Sequence, residues 1–420
     1  MKKNTSTTEA ISRLTLIVTT ISTAPAVSAN EDVANTKGQL EIQSRDGNLS
    51  ASLGGMIHYD LYAFAPDIAN PTSTTEFRRA RIILKGKIYD WQYVLEQDFA
   101  AGNTLSGFRN VYLARTFPSG ELHIGQFKPF RSMTEMTNSN DYTMIERPFS
   151  GNGLYENRQF QQGIGWLGHT RCLTYGLMAF NLRDAAAPRN EGVGMAGRTT
   201  WTPINDDLRT IHFGTSVSFE NANQNSEDLP AEIDYAGRRG PQQQLALTPG
   251  NTGAHVTTAG LELAGTYGPL YAQAEYVVAQ YQGNYYLSEA SFIHEFDAPA
   301  PFPCDPATGC YIRDQNLHSW YVQGSWMLTG EHKPYVKNRG VFKAAKPALN
   351  GWLGGTWEIA LRYDVGENRD IPGLQASSTI LGLNYYPSSN VRFMLNLTFG
   401  DDDFTGDSTN QLGIRAQIHW

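Results

Sequence analysis

Residues Leu412 to Trp420 alternate strictly. Leu412, Ile414, Ala416, Ile418 and Trp420 point one way, and Gly413, Arg415, Gln417 and His419 the other. A period of two marks a β-strand with one apolar and one polar face. Trp357–Asp364 repeats the pattern, with Trp357, Ile359, Leu361 and Tyr363 set against Glu358, Arg362 and Asp364. Tyr271–Val277 and Ile211–Phe219 do the same. About sixteen such segments, from Leu49–Phe64 to Gln411–Trp420, can be placed along the chain. Charges on a lipid-facing strand surface cost about 2–4 kcal/mol at mid-membrane, so the polar face must line water. The pattern predicts an all-β transmembrane antiparallel barrel of about sixteen strands, its last strand closing the wall.

The connections support that reading. Tight turns are expected at Tyr89–Trp91, Pro118–Gly120, Tyr267–Pro269 and Tyr386–Asn390. Long connections are expected near 127–161, 221–256, 281–317 and 366–377. Short turns on one rim and long loops on the other characterise outer-membrane barrels, whereas a soluble sandwich lacks the asymmetry. The 127–161 connection carries Phe127, Phe130, Phe149 and Phe160, apolar weight that predicts an inward fold, and its Lys128, Arg131, Arg147 and Arg158 would narrow a channel.

The N-terminus changes the compartment. Lys2, Lys3 and Arg13, the apolar run Leu14–Ile21 and the small-residue site Val27–Ala29 predict a signal peptide over 1–29. A periplasmic segment over 30–48 and a barrel over 49–420 would follow, with no linker dividing the barrel. Removing three bases and the acid Glu9 would take the net charge from −8 to −10. Forty glycines, 21 tyrosines and 8 tryptophans suit a barrel with aromatic girdles. In an oxidising compartment Cys304 and Cys310 could close a small disulfide ring. A metal pair there lacks further ligands, and Cys172 is left over. No metal and no cofactor are expected.

Candidate chemistry is concentrated in Phe77–Lys87. Arg79, Arg81, Lys85 and Lys87 share one strand face, a basic row down a channel wall; Arg78 breaks the parity and must sit at a bulge or beyond the apolar band. Acids elsewhere on the wall could neutralise that row. The acidic total does not settle selectivity, because the field within the constriction decides. Asp401–Asp407 partly resembles a calcium loop but lacks the twelfth-position glutamate. No enzyme is expected, since the nine histidines are scattered and no Gly-x-Ser-x-Gly elbow occurs. An adhesin or anchor would need no basic wall, and nucleic acid is no partner for an acidic secreted chain.

Several blocks together resemble the phosphate-selective porin O and P family. They include Phe77–Arg81, Lys85–Trp91, Gly125–Phe130, Ile145–Arg147, Leu328–Glu331, Arg339–Pro347, Trp357–Tyr363 and Leu381–Pro387. The resemblance runs from about residue 38 to the C-terminus. It implies an outer-membrane porin of a Gram-negative cell: a passive anion channel for phosphate or polyphosphate, seated in lipid and lipopolysaccharide and assembled as a homotrimer. A weakly selective general porin is the alternative. By resemblance Arg78, Arg79 and Arg147 hold the anion, Arg238 and Arg239 feed it, and Lys337, Lys343 and Lys346 draw it onward. Met56, Gln92 and Met136 stand where phosphate-specific members carry cations, and Arg109 falls where they place an acid, which implies a differently tuned anion site.

Overall fold

The computed structural model describes residues 33–35, 40–101, 107–155, 158–183, 190–223, 229, 231–246, 255–282, 285–288, 304–307, 309–312, 314–347 and 354–420. The expected signal peptide, 1–29, lies outside them. Sixteen antiparallel strands form the wall. They are β1 (Leu49–Ala65), β2 (Thr74–Ile88), β3 (Trp91–Asp98), β4 (Phe108–Phe117), β5 (Gly120–Phe127), β6 (Gln161–His169), β7 (Leu173–Arg183) and β8 (Asn190–Asn205). Then come β9 (Arg209–Ala222), β10 (His255–Tyr267), β11 (Leu270–Gln282), β12 (Gln315–Met327), β13 (Thr356–Asn368), β14 (Gln375–Ser388), β15 (Val391–Asp402) and β16 (Asn410–His419).

Each strand pairs with the next, and β16 closes on β1 from Asn410↔Ala65 to His419↔Met56. Closure satisfies every wall N–H and C=O without an edge, as hydrocarbon requires. Trp420 completes the seam by exchanging two backbone hydrogen bonds of 3.1 Å with Gly55. Residues Leu40–Gln43 pair with the first turn of β1, beyond the reach of β16.

Burial is inverted relative to a soluble domain. On β16, Ile414 and Ile418 are 40% and 44% exposed while Arg415 is fully buried. The outward apolar residues are covered by lipid, and the polar ones face a crowded lumen. Stacked aromatics, Trp201 on Phe213 and Trp357 on Tyr385, sit toward the short-turn rim as a girdle.

One connection departs from expectation. The connection between β12 and β13, described over 328–347 and 354–355, leaves from the rim of short turns, whereas the expected long connection at 366–377 shrinks to 369–374. Its apolar pairs Tyr335–Val336 and Val341–Phe342 form a two-residue ladder instead of an alternating strand. Val341 and Phe342 are buried and Tyr335 and Val336 half-buried, so the segment turns into the barrel.

Three segments therefore fill the lumen: 128–160, with short helices α1 (Met133–Met136) and α2 (Phe149–Asn152); 231–246; and 331–347. A core joins Phe130, Phe149, Leu154, Ile233, Leu245 and Tyr281. Two wall glycines make room for it. A Cβ at Gly176 would meet the Phe130 ring at 2.7 Å, and one at Gly400 would meet the Ala236 backbone at 2.8 Å.

Candidate functional site

A bulge creates the site. Across β1 and β2, His58 pairs with Arg79 but Tyr59 pairs with Phe77, so Arg78 is the extra residue. The extra residue resets the parity, and two consecutive arginines turn inward while Phe77 stays on the lipid side, 59% exposed. The row then continues inward through Arg81, Lys85 and Lys87, paired across with Met56, Ser52 and Ser50.

The 128–160 segment is held against the opposite wall at both ends. Arg131, fully buried, donates to Glu220 of β9 and to the Arg158 carbonyl at 2.7 Å, and it lies 3.9 Å over the Tyr155 ring. Arg158 reaches the same carboxylate at 2.7 Å. At α1, the Ser132 hydroxyl and the Met133 and Thr134 N–H groups all donate to Glu275 of β11, at 2.7, 3.0 and 2.9 Å. Further along, backbone carbonyls accept from wall arginines. Arg392 donates to Tyr142 O at 2.6 Å, Arg415 to Ile145 O at 2.6 Å and Arg362 to Glu146 O at 2.8 Å. Irregular backbone is tolerated at membrane depth only where such donors satisfy it.

This anchoring presents Glu146 and Arg147 to the basic wall. Glu146 accepts from Arg78 at 2.8 and 3.2 Å and from Arg415 at 2.9 Å, while Arg415 also clamps Asp60. Burial by itself raises the Glu146 carboxyl, but Arg78, Arg79 and Arg415 outweigh it and hold the group well below the usual carboxylate range. Arg147 bonds the Tyr142 hydroxyl and pairs with Glu135 at 3.2 Å. Arg79 is different. It is 4% exposed and touches the His58 ring at 3.3 Å, and among the described residues no carboxylate is in ion-pair contact with it.

Cavities flank this level on both sides. The upper one, about 510 Å³ including its mouths, is lined by Glu146, Arg147, Asp234, Arg238 and Arg362 among others. The lower one, about 810 Å³ including its mouths, is lined by Arg81, Lys128, Met136, Arg147, Phe160 and Arg339 among others. Arg147 belongs to both.

The sequence-derived candidates are thus distributed unevenly. Arg81 pairs with Glu96 and Asp98, each at 2.8 Å, and Arg109 approaches Asp98 at 3.4 Å. Lys128 donates to the Glu135 and Thr137 carbonyls at 2.5 and 3.2 Å. Burial foremost, then the Arg147 charge, pulls its ammonium well below the ordinary lysine range, with Glu135 offsetting part of the effect. Arg131 is sequestered in its pair with Glu220, away from the Arg78–Arg79 level. Arg238 and Arg239 both clasp Glu76, at 3.1 and 2.5 Å, above that level. Lys337, Lys343 and Lys346 are exposed on the 328–355 segment. Cys304 and Cys310 are disulfide-bonded, and Cys172 is free and exposed.

Sequence reasoning did not single out the acids that organise the site, Glu96, Asp98, Glu135 and Glu146, nor His58, Arg339 and Arg415. Arg415 carried a signal, since it lies on the inward face of the most regular strand. Pairing of the others depends on loop geometry that no local pattern encodes.

A closed barrel with an apolar exterior, a polar lumen and a charged loop crossing it defines an outer-membrane diffusion channel, a porin. The chain belongs to the family "phosphate-selective porin O and P", whose model matches residues 52–420. It is 25% identical to Porin O of Pseudomonas aeruginosa over 404 residues, 86% of this chain and 85% of that one. Among solved structures it is similar to OmpT of Vibrio cholerae (TM-score 0.52, 12% identity, 89% of this chain and 98% of the other). An anion-selective porin from Comamonas acidovorans is similar too (TM-score 0.52, 11% identity, 88% and 99%). These two likenesses establish the fold. The protein is a porin, a channel of the Gram-negative outer membrane.

Proposed function

We propose that the channel conducts small anions passively, phosphate among them, through a constriction formed by Arg78, Arg79 and Arg147. The observation that carries the reading is the bulge that turns Arg78 and Arg79 inward together, at the level where Glu146 and Arg147 of the lumenal segment arrive. Arg78, Arg79, Arg81, Arg109, Lys128, Arg147 and Arg415 meet Asp60, Glu96, Asp98, Glu135 and Glu146, which leaves an excess of cations. In a low-dielectric wall that excess sets the sign of the field.

Arg79 supplies potential from behind the surface, and Arg78 and Arg147 offer exchangeable hydrogen bonds. A passing anion competes with Glu146 and Glu135 for those donors, which keeps binding weak enough for release. Arg238 and Arg239 deliver anions from above, and Lys337, Lys343 and Lys346 receive them below. Arg131 is reassigned to anchoring the loop. Met56 beside Arg81, and Met136 on the lower cavity, support modest selectivity for orthophosphate. The family relationship further supports a homotrimer in lipid and lipopolysaccharide, with a signal peptide over 1–29 and residues 30–48 on the periplasmic side.

The test is the reversal potential in a planar bilayer under a chloride gradient, with phosphate added. Anion selectivity with phosphate block is expected. Arg78→Ala and Arg147→Ala should each lower the chloride-to-potassium permeability ratio about fivefold, ~1 kcal/mol in the local potential. Glu146→Gln should raise it. Unchanged selectivity in all three variants would refute the assignment.

A further inference from the structure

The lower cavity has a lining that a phosphate channel does not require. Tyr112, Phe127, Phe160 and Met136 line it together with Arg147, Arg339 and the carboxylate of Glu96, and Arg339 hydrogen-bonds Tyr112. The rings are held as a rigid set. His123 stacks on Tyr112 with centroids 4.9 Å apart, and Phe127 lies edge-on to Tyr112 at 5.8 Å. Arg109 of β4 and Lys128 of the loop lie 5.5 and 5.8 Å from the Phe160 ring centre, so positive charge borders that ring from the wall and from the loop.

Orthophosphate is compact and strongly hydrated. It gains nothing from aromatic faces, which displace its water without offering a donor. A flat apolar group gains from those same faces, because aromatic pairs attract beyond their burial and a thioether adapts to a ring edge. An apolar wall with a few convergent cations is the lining of a site for organic anions. Met136 extends the apolar wall at a position where a cation would favour an inorganic ion.

We propose that this cavity, on the short-turn side of the constriction, binds aryl anions: small molecules with a carboxylate, phosphonate or sulfonate head on an aromatic ring. The ring lies among Tyr112, Phe127 and Phe160, and the head meets Arg147 or Arg339. The inference rests on the anion-channel reading above and names the substrate class of that pathway. Arg339 comes from the 331–347 segment, so the segment completes the site.

The experiment compares block of single-channel chloride current by phenylphosphonate and by methylphosphonate, at a pH where both are dianions. The heads are alike and only the ring differs. Phenylphosphonate should reach half-block at about tenfold lower concentration, and Phe160→Leu should reduce the ratio to less than about threefold. Tyr112→Leu, on a wall strand, is the second variant should Phe160→Leu fail to insert. Met136→Lys should strengthen methylphosphonate block and narrow the ratio. An anion-selective channel blocked equally by the two compounds overturns the aryl site and leaves the proposed function intact. A preference that survives both leucine variants overturns its location. A cation-selective channel overturns both readings.

Discussion

Two regions of the barrel use arginine for opposite ends. Along the wall from β9 to β16 lumenal cations are buried and committed: Arg415 on Asp60, Arg131 of the 128–160 segment on Glu220, and Arg362 and Arg392 on loop carbonyls. On the wall from β2 to β5, Arg78 and Arg109 keep 19% and 23% of their side chains exposed, and Lys85 and Lys87 are open. The first wall turns charge into rigidity; the second buries Arg79 and pairs Arg81 with Glu96 and Asp98, yet leaves the rest of its charge available to a solute. A buried ion pair gives little net stability against an apolar replacement, yet breaking one is expensive. The committed wall therefore fixes where the loop goes, and the open wall inherits the channel.

Breaking the committed side should have the largest effect. Glu220→Gln leaves Arg131 and Arg158 buried without their carboxylate, a loss of about 3–5 kcal/mol in folding stability. Urea unfolding in detergent reads the loss. Single-channel recording should show raised or unstable conductance as the 128–160 segment leaves its wall. Unaltered stability and conductance together would mean that the loop is held elsewhere.

A second test sharpens the contrast through pH. Lys128 sits where the loop meets the open wall, and its ammonium is pulled well below the ordinary lysine range. The folded protein thus binds fewer protons than the unfolded chain between that lowered value and about 10.4. Stability should rise with pH across this window, while anion selectivity falls at its lower edge, where the folded protein loses the charge. Glu146 has the same sign, at acidic pH. Its depressed carboxyl contributes stability that is complete above about pH 4.3 and is lost only as pH falls through the folded value. Lys128→Met should remove the step in the reversal potential that accompanies loss of this charge. A wild-type reversal potential without such a step at any pH below about 10.4 would remove Lys128 from the conduction path.

Much of the architecture could be read from the chain because the membrane imposes it locally. The alternation of Trp357–Asp364 or Leu412–Trp420 states both the strand and its inward face. The parity break at Arg78 likewise left a bulge or a place beyond the apolar band, and the strand pairing forms the bulge. The cost of a lipid-facing charge makes such patterns strict. The lumen obeys no comparable rule. Residues 331–347 were legible as a motif but not as an inserted segment, because their burial rests on Arg198 holding the Arg339 and Gly340 carbonyls and on Tyr335 meeting His212 and Thr202. The same limit applied to the arginines. Arg131 and Arg147 look alike in sequence, and only the position of Glu220 separates an anchor from a channel residue.

The smallest effect should come from the lysines of that inserted segment, and its size tests where the open wall ends. Lys343 is exposed beside buried Val341 and Phe342, so its stem packs little and its charge faces water. Lys343→Ala should change stability by no more than about 0.5 kcal/mol, as exposed substitutions do. Its influence on passing anions is purely through space, and it is screened over about 10 Å at 0.1 M salt and about 3 Å at 1 M. Chloride conductance should therefore fall modestly at low ionic strength and match the parent protein at 1 M. Arg78→Ala provides the contrast, because a contact at the constriction persists where screening has removed the distant charge. A Lys343→Ala deficit that survives 1 M salt would place this lysine in direct contact with the anion and extend the binding wall onto the segment.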